Sequence, residues 1–498
     1  MKTTPYAELE RQYAEILDLE HALEVLGWDQ EVIMPAASGE SRAQTLATLS
    51  TVIHKKITHP ILVRLVQRLY RQRKDLTPQQ RRAVHLVRNR VMKATRVPAT
   101  LMREIALAES RGVGQWREAR EKKDFSKFAP ALSELVDLRK EVARLTARGG
   151  RLYDALLDNF EPGLTVSAID PLFEDLINIT APLVTQVIES GVNVDLTPFV
   201  GDFDIPSQRA FASEVATAMG IDLDRARMDL STHPFCGGVA PDDVRMTSRY
   251  DTRDMASGLY GVIHEAGHGI YEQGLSKRRS RHPLGGAISM AIHESQSRLW
   301  ENNVGRSHAF WTFWLPRMKK HHPQLKGVTV DATWKAANAM GPSPIRVEAD
   351  ELTYNLHIIL RYQIERELID GDLRVNDLPK RWNKGMKELL GIQPRNDAEG
   401  VLQDIHWAQG AFGYFPTYSM GNLYAAQFME AARKSIRGLN QRITKGNFKI
   451  LRSWLNHQIH QHDQVYTAEQ MVRRVTGKPL STKAFAHHVR KKVDAIYS

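Results

Sequence analysis

The sequence predicts a mainly α protein with one small antiparallel β-sheet near its middle. Apolar residues recur at helical spacing along most of the chain, and short β-leaning segments gather only between residues 226 and 250. The composition is globular: 42% hydrophobic and 25% charged, with 32 Gly and 22 Pro in 498 residues. Disordered, collagenous and low-complexity classes are thereby excluded. The single cysteine, Cys236, excludes an intrachain disulfide framework and any Cys-rich zinc fold.

The elements follow in order. Leu9, Tyr13, Ile16, Leu19, Leu23 and Leu26 mark one face of a helix over 6–27, which Gly27 and the WDQEVIMP stretch are expected to end. Residues 42–57, 61–74, 78–93 and 98–111 read as further helices, with Pro78 and Pro98 where a first turn tolerates proline. Residues 132–157, 166–189 and 207–219 continue the helical pattern. ARMDLSTHPF and DDVRMTSRYD then flank the turn-rich CGGVAPDD, as strands of a small antiparallel sheet would. Helical periodicity resumes at Thr252 and holds to the end. No repeat, linker or composition break divides the chain. We therefore read residues 1–498 as one domain, with a helical half over 1–225, the sheet at about 226–250 and the functional site within 233–418.

The net charge is +11, from 68 Lys+Arg against 57 Asp+Glu. Twelve Lys or Arg lie between residues 61 and 103, with Asp75 as the only acid. They alternate with Leu62, Leu65, Leu69, Val84 and Val87 at helical spacing and lack an aromatic ladder. That pattern is a solvated helix face rather than a nucleic-acid surface. No segment approaches the roughly 18 apolar residues of a membrane span, and the N-terminal residues hold no signal-like apolar core. The expected compartment is the cytoplasm, with neither nucleic acid nor membrane as a partner.

Directly after the presumed sheet comes His264-Glu265-Ala266-Gly267-His268. Residues i and i+4 of a helix share a face, so two imidazoles can hold one zinc ion with Glu265 near its water. Met255, Leu259, Val262, Ala266 and Ile270 supply the packing face of that helix, and Gly274 can end it. A catalytic zinc takes about three protein ligands. The next helical segment, 288–304, offers Glu294, with His293 and Glu301 competing on spacing alone.

The chain resembles the thermostable carboxypeptidase Taq family of metallocarboxypeptidases. The resemblance rests on HPF at His233-Pro234-Phe235, D-x-R-x-T from Asp243 to Thr247, HEAGH, and HESQ from His293 to Gln296. It extends to I-R-x-x-A-D from Ile345 to Asp350 and G-x-x-Q-D-x-H-W from Gly400 to Trp407. These signatures span about 175 residues, with Ser248 standing where a second Thr is common. The resemblance implies His264, His268 and Glu294 as metal ligands and Glu265 as the catalytic residue. It also implies a deep-grooved helical fold similar to neurolysin and angiotensin-converting enzyme, commonly a homodimer. The implied metal is zinc, one per chain, with cobalt possible. The implied activity is release of single C-terminal amino acids from peptide substrates, with broad specificity.

That activity has a chemical outline. Zinc lowers the pKa of its bound water from about 15.7 toward about 7, and Glu265 takes the proton as general base. His406 and Tyr418 lie in the densest aromatic and polar stretch and are candidates to donate to the oxyanion. A free α-carboxylate calls for a bidentate guanidinium. Arg346 is the first choice and Arg245 the second, the latter also a candidate structural partner of Asp243 or Asp350. His233 either touches substrate or holds its turn. Cys236 reads as a packing residue, and His457, His460 and His462 as a surface helix. The alternative function is a metallo-oligopeptidase cutting inside peptides with the same zinc site.

Overall fold

The computed structural model describes residues 4–147 and 149–498, apart from the side chain of Ala36. The first helices are α1 (Pro5–Val32), α2 (Gly39–Ile57), α3 (Pro60–Arg71), α4 (Pro78–Arg96) and α5 (Ala99–Lys122). Then come α6 (Ala129–Thr146), α7 (Leu152–Leu157), α8 (Val166–Glu189) and α9 (Ile205–Met219). Strands β1 (Ala226–Leu230), β2 (Cys236–Ala240) and β3 (Asp243–Ser248) follow. The second half contains α10 (Met255–Gly274), α11 (Met290–Arg298), α12 (His308–His321), α13 (Val330–Ala337) and α14 (Tyr354–Asp370). It ends with α15 (Leu378–Leu390), α16 (Pro416–Ser435), α17 (Leu439–Ile443), α18 (Lys449–Gln458), α19 (Ala468–Thr476) and α20 (Lys483–Tyr497). The mainly helical class with one central sheet is as the sequence predicts.

Four details differ from the sequence reading. Helix α1 runs through Gly27 to Val32, because nothing crowds Gly27 and Trp28 beyond it is buried. The helix expected over 132–157 is two helices, α6 and α7, and residue 148 between them lies outside the described residues. The helix expected over 288–304 breaks its rhythm after Arg298, where Leu299–Gly305 form a wider π-helical turn. The sheet is mixed rather than antiparallel: its order is β1-β3-β2, with β2 antiparallel to β3 and β1 parallel to β3. Thr247 on β3 ties the HPF segment to this sheet. Its hydroxyl accepts from Phe235 N at 2.9 Å and from Ser231 Oγ at 2.6 Å, holding the turn that leads from β1 into β2.

Helices α1–α4 build a core of their own around Leu9, Ile16, Leu62, Val66 and Val87. The remaining helices bury two larger cores, and α16 belongs to both. Its Leu423 and Ala426 enter one, while Met420, Phe428 and Met429 enter the other. A helix apolar on every side must be central, and burying side chains of this size contributes about 1.5–3 kcal/mol each. Helix α11 lies between α16 and α10, and two glycines permit that closeness. A Cβ on Gly267 of α10 would stand 2.6 Å from Ser297 Cα, and one on Gly421 of α16 would stand 2.5 Å from Glu294 Cγ. Among the described residues, no helix is long and apolar enough to cross a membrane.

Candidate active site

Asp254 opens α10 by accepting from Ala256 N and Ser257 N, and Ser289 opens α11 by accepting from Ile292 N. The two helices then present three donors to one point. Ligand atoms of His264, His268 and Glu294 all lie within 4.8 Å of one another. Glu294 Oε2 is 3.7 Å from His264 Nε2 and 3.5 Å from His268 Nε2. Two imidazole nitrogens and one carboxylate oxygen are a donor set that zinc accepts, so these residues fit a divalent ion.

The competing candidates of the sequence reading sit behind these three. Glu301, carried by the π-helical turn, lies 2.9 Å from His264 Nδ1, which leaves Nε2 facing Glu294. His293 contacts His268 and Glu272 rather than the central point. Arg298 donates to Glu294 Oε1 at 2.7 Å and to Glu301 Oε2 at 3.3 Å, and Arg306 donates to Glu301 Oε1 at 3.1 Å. Burial works against both carboxylates, yet Arg298 first and His264 next hold Glu294 well below the usual carboxylate range and Glu301 at about 2. For Glu265 burial prevails. Burial pushes its carboxyl up to about 7, aided by Glu294 and opposed by His264.

A cleft of about 570 Å³ opens onto this point. His264, Glu265, His268, Glu294, Arg245 and Tyr418 all line it, together with Pro234 and Phe235 of the HPF turn. The His233 side chain is exposed outside the lining, and its carbonyl accepts from Ser231 Oγ at 2.7 Å. Arg245 binds Asp243 in the bidentate manner, both contacts at 2.9 Å, and lies over the Trp28 ring.

Arg346 and His406 stand one layer behind the cleft wall. Arg346 is 5% exposed, with its guanidinium 5.1 Å from the Tyr418 ring. Its partner is Asp404: Nε and Nη2 both donate to Asp404 Oδ1, and Nη1 donates to Tyr354. Asp350 is occupied by Gly341 N, Leu352 N and the Thr353 hydroxyl. Arg361 grips the other oxygen of Asp404, so two buried guanidiniums share one carboxylate. His406 Nε2 lies 3.2 Å from the Tyr418 hydroxyl, and burial pushes the imidazole down to about 4, keeping it neutral. The Tyr418 phenol is pushed well above its ordinary value by burial and Tyr414, so it remains an O–H donor.

The sequence model of the carboxypeptidase Taq (M32) metallopeptidases matches residues 8–493. The chain belongs to that family. It is 38% identical over 481 residues to thermostable carboxypeptidase 1 of Thermus thermophilus, covering 94% of each chain. It is 36% identical to carboxypeptidase 1 of Bacillus subtilis, covering 96% of this chain and 95% of that one. A solved M32 carboxypeptidase from Deinococcus radiodurans R1 superposes with a TM-score of 0.95 at 35% identity, over 99% of this chain and 100% of the other. A Pyrococcus furiosus carboxypeptidase gives the same TM-score at 34% identity, over 99% of each. Membership makes this M32 protein a metallocarboxypeptidase, and the helical fold is the family's.

Several site residues escaped sequence reasoning. Arg298 follows Glu294 at i+4, and Glu272 follows His268 at i+4, so the helical stripes held a signal. Trp28, Tyr414 and Arg361 had none, because tertiary packing alone brings them here. His460 was expected on a surface helix. It is fully buried instead, with Nε2 at 2.9 Å from Gln296 of HESQ.

Proposed function

We propose that this M32 metallocarboxypeptidase uses zinc, with cobalt able to replace it, to release single C-terminal amino acids from peptides with broad specificity. His264, His268 and Glu294 hold the ion in this reading, and Glu265 is the general base. The observation that carries it is the convergence of three ligand atoms within 4.8 Å beside the buried Glu265 carboxyl on the wall of the same cleft. A divalent ion there supplies Lewis acidity toward water and the scissile carbonyl.

The chain's own residues do the rest. Glu265, buried on the cleft wall beside the three donors, takes a proton from water and returns it to the leaving amine. Tyr418 O–H, backed by His406, donates to the oxygen that gains charge. Arg346 reads the terminal α-carboxylate. Both forks are engaged, that of Arg245 by Asp243 and that of Arg346 by Asp404. Arg346 and Arg361 together leave one positive charge over behind the Tyr418 wall, so in this reading the carboxylate is held by that charge, with Arg245 on the cleft wall as the alternative. A homodimer in the cytoplasm completes the proposal. Its test is release of free amino acids from a mixed peptide library by protein stripped of metal and then reloaded with zinc or cobalt. Activity that survives chelation, or products that are internal fragments, would exclude it.

A further inference from the structure

His268 has two ring nitrogens, and only one can face a metal. Nε2 lies 3.5 Å from Glu294 Oε2, while Nδ1 lies 2.5 Å from Nδ1 of His293. The other nitrogen of His293, Nε2, lies 2.7 Å from Glu272 Oε1. All three side chains are mostly enclosed, with 13% of His268, 12% of Glu272 and 14% of His293 exposed where they edge the cleft.

The hydrogens in this chain can be assigned by elimination. A carboxylate only accepts, so the hydrogen on His293 Nε2 points at Glu272. Two facing Nδ1 atoms share one hydrogen. Were it on His293, that ring would carry both its hydrogens, His268 Nδ1 would accept, and His268 would carry its hydrogen on Nε2, where no metal could then bind. A ligating His268 therefore requires His293 Nδ1 to accept and His268 Nδ1 to donate. We infer that His293, together with Glu272, is a positioning residue that fixes the tautomer and ring orientation of His268. This rests on the reading of His268 as a metal ligand.

The two histidines are thus oriented by different devices. Glu301 contacts His264 directly, whereas Glu272 acts on His268 through an intervening imidazole supplied by α11. Glu272 itself has little freedom, since a Cβ on Gly238 of β2 would stand 2.5 Å from its carboxyl carbon. The requirement on position 293 is specific: a side chain that accepts on one side and donates on the other. Glutamine meets it, because its carbonyl accepts and its amide donates. Leucine does not.

The test is zinc affinity of the full-length protein, measured by chelator competition with zinc alone, for wild type, His293→Leu and His293→Gln. Melting of the metal-free proteins is measured in parallel. His293→Leu is expected to bind zinc about 10–100-fold more weakly. His293→Gln should return most of that loss, with metal-free melting temperatures unchanged among the three. Nitrogen NMR of the zinc-loaded wild type should show the hydrogen of His268 on Nδ1. Wild-type affinity in His293→Leu, equal weakening in both variants, or a bare Nδ1 on His268 would each overturn the inference. If His293→Leu does not fold, the comparison of His293→Gln with wild type and the NMR assignment still decide it. Failure of the underlying reading is distinct, since the wild type itself would then hold no stoichiometric zinc.

Discussion

Arg298 donates through Nε to Oε1 of Glu294 at 2.7 Å, so Oε2 is the oxygen turned toward His264 and His268. The same guanidinium reaches Glu301 three residues on, and stacks over the Tyr354 ring at 4.4 Å. One buried cation thus holds both the candidate ligand and the carboxylate behind His264. The division of labour between Glu294 and Glu301 yields the first prediction. Glu294→Ala should lose the metal, whereas Glu301→Ala should still bind one ion per chain, about 10–100-fold more weakly. Elemental analysis of the purified variants, with chelator competition, checks both.

Glu265 lines the cleft but is no part of the convergent donor set. Glu265→Gln should therefore keep full metal content and lower kcat by about 100- to 10,000-fold, the usual contribution of a positioned base. A variant that loses its ion along with its activity would make Glu265 a ligand instead.

Much of this site was legible from residue spacing. His264 and His268 share a face by helical periodicity, and Glu294 stood among three candidates at the right distance along the chain. Glu301 and His293 could not be separated from it by spacing, because their roles depend on how α11 rotates against α10 and on the π-helical turn after Arg298. The fold was legible as a class, since amphipathic periodicity is local. The parallel pairing of β1 with β3 was not, because which side of β3 each strand takes is set by pairing across the sheet rather than by local pattern. Likewise Asp404, 58 residues from Arg346, is a partner that only tertiary structure reveals.

The carboxylate reader is tested by substrate discrimination. A charge-assisted pair contributes about 1.5–3 kcal/mol, or roughly 10- to 150-fold. Arg346→Ala should lower kcat/KM on free-acid peptides by that factor with normal metal content, and Arg346→Lys should recover little because an ammonium cannot replace the donations Arg346 makes to Asp404 and Tyr354. If Arg346→Ala keeps the wild-type preference for free-acid over amidated peptides, the role passes to Arg245.

Stability should depend on pH through Glu365, in the buried contact of α14 with Tyr153, Trp407 and Gly413. Burial pushes its carboxyl up to about 7 despite those three donors. The folded state therefore binds the proton more tightly than the unfolded chain. The resulting stability is complete below an unfolded pKa of about 4.3 and is lost as pH rises through about 7, by up to about 3 kcal/mol. Denaturant midpoints between those pH values should fall in the wild type, and Glu365→Gln should remove that part of the slope.

The most direct test of the central claim uses one peptide in two forms, with a free and with an amidated C-terminus, incubated with zinc-loaded protein and with protein stripped by a chelator. Mass analysis over time should show stepwise loss of single residues from the free-acid peptide alone, abolished by stripping and restored by zinc. Internal fragments from the amidated peptide, or unchanged cleavage after stripping, would contradict the account.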